Sequence, residues 1–165
     1  MGNYVEIICN DGFSLVNRVL CKEKGILEPN NGDYCGSIMG GQLQEIESQI
    51  KDGLENPQKI SEHMLDVVKK NEFMFASEID SSVKILRQIT ELSGSFSNNK
   101  VLANIFEATH TVSKKITARD KNVTQVQTCL DIVDLIGQNV RVEKSSAFKL
   151  AGEGLALTAV DVEQE

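Results

Sequence analysis

From Ser37 onward, apolar residues recur at spacings of three and four, the period of one helical face. Met39, Leu43, Ile46, Ile50 and Leu54 form the first stripe. Asn56-Pro57 then offers a capping side chain and a first-turn proline to a second helix, whose stripe is Ile60, Met64, Val67 and Val68. Ser77 or Glu78 opens a third, with Ile79, Val83, Leu86, Ile89 and Leu92 facing inward, and Gly94 with the polar run 95–99 ends it. Val101, Leu102, Ile105, Phe106, Thr109 and Val112 carry a fourth. A fifth runs from about Asn122 to Ile136, with Val123, Val126, Leu130, Val133 and Ile136 on one side and Gly137 closing it. A lone amphipathic helix of about 14 residues is marginal in water. Several of them become stable by burying their stripes against one another, which predicts a helical bundle.

The flanks follow different periods. Residues 1–36 hold three of the four cysteines, Cys9, Cys21 and Cys35, separated by the turn formers Asn10-Asp11-Gly12 and Pro29-Asn30-Asn31-Gly32-Asp33. Runs such as Tyr4–Ile8 and Ser14–Leu20 read as short strands between turns. Closely placed cysteines in a stretch with little core point to a disulfide-held module. After Gly137, Val140 and Val142 alternate with polar residues, and Leu155, Leu157, Val160 and Val162 read as one or two short strands, with a slip between Leu157 and Val160 that fits a bulge or a break. The expected class is therefore mainly α: a multi-helix bundle preceded by a small disulfide-bonded β module and followed by one or two short strands. The expected divisions are a cysteine-rich module over 1–36, a helical bundle over 37–140, and the incomplete start of a β-rich subdomain over 141–165.

Charge and composition narrow the partners. The formal net charge is -7 and aromatics are 5% of the chain, so a phosphate backbone is repelled on average and a stacking platform for bases is lacking. No nucleic-acid partner is expected. No apolar run reaches the roughly 18 residues that argue a transmembrane helix, so no membrane span is expected. Met1–Phe13 lacks the basic and apolar regions of a signal peptide, and Glu6 stands where a myristoylation signal wants Ser or Thr. As written the chain would remain in the cytoplasm; it becomes extracellular as a piece of a longer precursor.

Candidate chemistry is sparse. The two histidines, His63 and His110, each fall inside a predicted helix among polar neighbours, and neither a Cys-x-x-Cys nor a His-x-x-x-His spacing exists, so no metal site is expected. No Gly-x-Ser-x-Gly elbow accompanies Gly94-Ser95. Gly40-Gly41 and the Gly152/Gly154 pair lack the strand, loop and helix start of a phosphate cradle. Glu45, Glu47, Asp131 and Asp134 read as a solvated helix face. Cys129, mid-helix beside Leu130, reads as a small buried hydrophobe, with a pairing or reactive thiol as the alternative. No catalytic residue and no cofactor are expected. Asn122-Val123-Thr124 is an N-glycosylation sequon, informative only for a secreted protein.

Cys9-Asn10-Asp11-Gly12-Phe13-Ser14-Leu15, then Cys21-Lys22-Glu23-Lys24-Gly25, then Cys35, resembles the later part of a sushi or hormone-receptor-type module. Such modules run Cys, a Gly-aromatic pair, a second Cys followed by Gly, and a closing Cys; they usually place Trp after that Gly, where this chain has Ile26. Ahead of a multi-helix segment ending in Leu155-Ala156-Leu157, this order resembles the extracellular region of adhesion G-protein-coupled receptors. There a hormone-receptor-type module leads into the helical first subdomain of a GAIN domain. The stretches Ala76–Leu92, Asn99–Val112 and Val123–Val140 resemble its helices, and Ser145–Val162 resembles entry into its β-rich second subdomain.

The resemblance implies a Cys9–Cys35 disulfide, a Cys21 that has lost its upstream partner, an unpaired Cys129, and glycosylation at Asn122. The family's autoproteolysis tripeptide, His-Leu-Ser/Thr, has no counterpart, since His110 is followed by Thr111-Val112. The implied function is a non-catalytic adhesion or interaction fragment on the extracellular side of the plasma membrane, with a protein ligand or neighbouring extracellular domains as partners. Self-association through an incomplete β edge is a further expectation. The alternative is a cytosolic helical adaptor or scaffold with reduced cysteines.

Overall fold

Ser37 ends an extended segment and starts a helix: its Oγ accepts the Gly40 N–H at 3.1 Å, so one of the first-turn donors is met by the side chain. In the computed structural model, which describes residues 3–4, 6–15, 20–21, 27–28, 34–53, 56–93, 98–119, 123–140, 147–152 and 155–160, five helices follow among those residues. They are α1 (Ile38–Asp52), α2 (Pro57–Lys70), α3 (Ala76–Ser93), α4 (Asn99–Arg119) and α5 (Val123–Asn139). Ahead of them lie β1 (Asn3–Tyr4), β2 (Phe13–Leu15), β3 (Leu20–Cys21), β4 (Leu27–Glu28) and β5 (Cys35–Ser37); behind them lie β6 (Ala147–Gly152) and β7 (Leu155–Val160). The expected class holds: a mainly helical bundle, a small disulfide-bonded β module before it, and two short strands after it.

Helix ends are set by local chemistry. Gly53 closes α1 in the left-handed conformation, φ 63°, and returns its N–H to the Ile50 carbonyl. Asn56 caps α2, its Oδ1 accepting the Lys59 N–H at 2.9 Å, and Pro57 occupies the first turn, as expected. At the far end of α2, Lys115 of α4 donates to the carbonyls of Val68 (2.8 Å) and Asn71 (2.5 Å). A cation placed there meets both the orphan carbonyls and the negative end of the helix dipole.

α4 is the central helix, packed against α2, α3 and α5, while α1 covers α2 and α3. Ile46, Met64, Ile85, Leu86, Ile89, Leu102, Ile105, Ile116, Ile132 and Ile136 are fully enclosed between them. Two stripes differ from expectation. Leu92, near the end of α3, is 41% exposed, and Leu130 of α5 is 45% exposed. In α5 the enclosed face is Cys129, Ile132 and Ile136, with Val126 and Val133 at its margin. The helix is turned toward α3 and α4 by these residues, so a stripe drawn through Leu130 runs along the outer rim.

Gly137 does not close α5. The helix continues to Asn139, and a Cβ on Gly137 would lie 3.0 Å from the Leu157 side chain. The missing side chain makes room for β7 against the helix. Val140 follows α5 without strand structure, its N–H bonded to the Ile136 carbonyl, and Val142 lies outside the described residues. β6 and β7 pair antiparallel without a break from Ala147↔Val160 to Gly152↔Leu155, so the slip expected between Leu157 and Val160 is absent. The hairpin rests on α4 and α5, with Leu150 and Leu157 partly buried against the core.

In the module, β1, β3 and β4 form one antiparallel sheet in the order β1-β3-β4, and β2 pairs with β5. The expected strand Tyr4–Ile8 is not formed: Glu6–Ile8 have no regular structure. The run Ser14–Leu20 splits between β2 and β3, with 16–19 outside the described residues.

Candidate functional site at the module–bundle junction

The feature that distinguishes this molecule from a plain bundle is how the cysteine module meets the helices. Cys9 and Cys35 are joined by a disulfide, Cα atoms 5.8 Å apart. Leu15 lies opposite Cys35 in the β2–β5 ladder, and Phe13 opposite Ser37. The bridge therefore fastens the approach to β2 onto β5, and β5 runs straight into α1. Gly12, at φ +84°, turns the chain so that its carbonyl accepts the Ile38 N–H at 3.0 Å. A Cβ there would lie 2.7 Å from the Met74 sulfur, so the turn and the segment before α3 are in close approach. Phe13 and Phe75 add an edge-to-face ring contact at 6.0 Å.

Glu78 lies at the centre of this junction and is 4% exposed. Its Oε2 accepts the backbone N–H groups of Met74 (2.7 Å) and Phe75 (3.1 Å), while its own N–H donates to the Phe75 carbonyl. This is the back-reaching half of a capping box, formed without a Ser or Thr at the cap. Its Oε1 accepts the Ser37 hydroxyl, the same hydroxyl that caps α1. One carboxylate thus ties the start of α3 to the start of α1 and, through β5, to the disulfide. A buried carboxylate is tolerable here because each oxygen is hydrogen-bonded.

The sequence-predicted site residues fall as follows. Cys9 and Cys35 are brought together. Cys21 sits in β3, between Asn3 of β1 and Leu27 of β4, and is half-buried. Cys129 is fully buried in α5, and burial pushes its thiol up to about 11, so the thiolate is disfavoured and the small-hydrophobe reading fits. Asn122 lies outside the described residues. His63 is on α2 and His110 on α4, both half-buried. His110 lies under the hairpin, where a Cβ on Gly152 would stand 2.8 Å from its ring. Beside it is a cleft of about 350 Å³ lined by Asn104, Glu107, His110, Leu150 and Gly152, in which Glu107 is paired with Lys69 of α2. Among the described residues no group of His, Cys, Asp and Glu is placed to hold a metal.

Sequence reasoning placed Glu78 at a helix start but missed its link to Ser37. The available signal was Ser37-x-x-Gly40 and a Glu three residues after Phe75; a phenylalanine at the cap hides the box pattern. Comparison with known family models, curated proteins and solved structures returned no match.

Proposed function

We propose that this chain is a non-catalytic interaction fragment, similar to the extracellular region of an adhesion G-protein-coupled receptor, that presents a disulfide-held module at a fixed angle to a helical support. The reading is carried by the Ser37–Glu78 hydrogen bond beside the Cys9–Cys35 disulfide, which makes module and bundle one connected unit. Rigid attachment lowers the entropy lost when a partner binds. A disulfide joining two of the module's cysteines also favours an oxidising compartment, since such bonds persist outside the reducing cytosol. No helix among the described residues is long and apolar enough to cross a membrane, so anchoring would come from elsewhere in a longer protein. Neighbouring extracellular domains or a protein ligand are the expected partners, and Asn122 would carry glycan.

The test is expression through the secretory pathway, followed by thiol alkylation and intact-mass measurement with and without reduction. Labelling of Cys9 and Cys35 only after reduction, with a glycosidase-sensitive mass at Asn122, supports the proposal. Full labelling of all four cysteines in the denatured, unreduced protein overturns it and selects the cytosolic adaptor reading.

A further inference from the structure

The exposed apolar residues are unevenly distributed. Ile8 is 90% exposed, Leu15 45%, Ile38 37%, Met74 36% and Phe75 47%, and all five belong to the module–bundle junction. The contacts already described link them. Ile8 adjoins bridged Cys9, Leu15 lies opposite Cys35, Ile38 is bonded to Gly12, Gly12 touches Met74, and Phe75 packs on Phe13. Phe13 and Leu15 alternate along β2 and therefore share a face, which brings Leu15 to the side where Phe75 lies. Scattered exposed hydrophobes need no explanation, but a cluster at one end of a molecule marks an interaction surface.

The charges around it share one sign. The described segments 6–15, 34–40 and 71–80 contain Glu6, Asp11, Glu72, Glu78 and Asp80, and no Lys, Arg or His. Glu78 is spent internally on Ser37, Met74 and Phe75. The others form an acidic margin around an apolar centre. That margin decides among occupants. Two copies meeting face to face would bring like charges together. An anionic lipid surface would be repelled for the same reason.

We infer that this junction is a docking surface for a protein segment of opposite character, with aliphatic or aromatic residues at its centre and Lys or Arg on its flanks. The inference rests on the reading of the chain as a surface-presenting protein and deepens it by naming the surface and the partner's chemistry. Aromatic Phe75 is the anchor residue, because large, partly buried aromatics carry most of the energy in such contacts. The acidic margin steers approach and rejects acidic competitors.

The experiment is selection of a random dodecapeptide phage library on the full chain, after alkylation has established that the Cys9–Cys35 bridge is intact. The expected winners combine apolar residues with Lys or Arg. Their synthetic forms lose roughly tenfold or more in affinity for Phe75→Ala, and they bind several-fold more weakly at roughly tenfold higher salt. The double variant Ile8→Ser/Leu15→Ser removes exposed side chains only, so it keeps the far-ultraviolet circular dichroism of the parent while weakening binding. Leu92→Ser, at the other end of α3, leaves binding unchanged. Absence of enrichment, enrichment of acidic sequences, or binding indifferent to both patch variants overturns the inference. So does a dimer in sedimentation that Phe75→Ala converts to monomer, since the occupant is then a second copy. Any of these failures with the bridge intact leaves the display reading standing, whereas a missing bridge strikes that reading itself.

Discussion

Glu78 offers the sharpest test of how the module is attached. Replacing it with alanine removes the acceptor for the Met74 and Phe75 N–H groups and for the Ser37 hydroxyl. Hydrogen bonds to an ionised acceptor contribute about 1.5–3 kcal/mol each. Met74 and Phe75 are exposed enough for water to recover part of that loss, so Glu78→Ala should cost about 3 kcal/mol. At this chain length the cost corresponds to a drop in Tm of about 6–12 °C. Glu78→Gln keeps a carbonyl oxygen for the two backbone donors, and its NH2 can donate to Ser37 Oγ once that hydroxyl rotates. It forfeits only the charge, about 1 kcal/mol. Urea denaturation followed by helical circular dichroism measures both variants. A double-mutant cycle with Ser37→Ala should give a coupling of about 1–2 kcal/mol between the two side chains. Equal losses for Ala and Gln, or a cycle additive within about 0.5 kcal/mol, would show that the carboxylate does not join the two helix starts.

Leu102→Ala, at a fully enclosed site, should cost about 2–5 kcal/mol by urea denaturation, while Leu92→Ala on the rim of α3 should stay within about 0.5 kcal/mol. Gly152→Val would drive a side chain into the His110 ring, so limited proteolysis should cut the β6–β7 hairpin faster than in the parent while the helical signal persists. Cys129 stays protonated in the folded chain up to about 11, against 9.0 for an ordinary thiol. Between those values the unfolded chain gives up the proton and the folded chain keeps it, so stability should fall as pH rises through that window. Below it Cys129 contributes no pH dependence, and the native thiol should resist alkylation until denaturant is added.

The helices were legible because each is amphipathic and carries its own punctuation. Asn56-Pro57 announces α2 whatever packs against it, and the stripes of α2 and α4 have little freedom of phase. The errors share a cause. Gly137 reads as a stop in isolation, yet here a glycine serves close contact with Leu157, a residue twenty positions away in sequence. In α5, two stripes at helical spacing overlap, one through Leu130 and one through Cys129; which is buried depends on where α3 and α4 stand. The Cys9–Cys35 pair was legible only through the resemblance, because three cysteines in one short segment permit several pairings. The Ser37–Glu78 bond was illegible for a plainer reason: it joins residues 41 apart, and each has an adequate local role as a helix-end residue without the other.

That double use explains why the junction is built from helix ends. A helix start presents donors that need acceptors whether or not anything docks there. When Ser37 and Glu78 answer those needs for α1 and α3 and also bond to each other, the attachment requires little further burial of polar groups. The apolar side chains around it are then left free of structural duty: Ile8 and Leu15 stay largely in solvent because the disulfide and the carboxylate already hold the module in place. Surface hydrophobes released from holding the fold together are the ones a chain can present to something else.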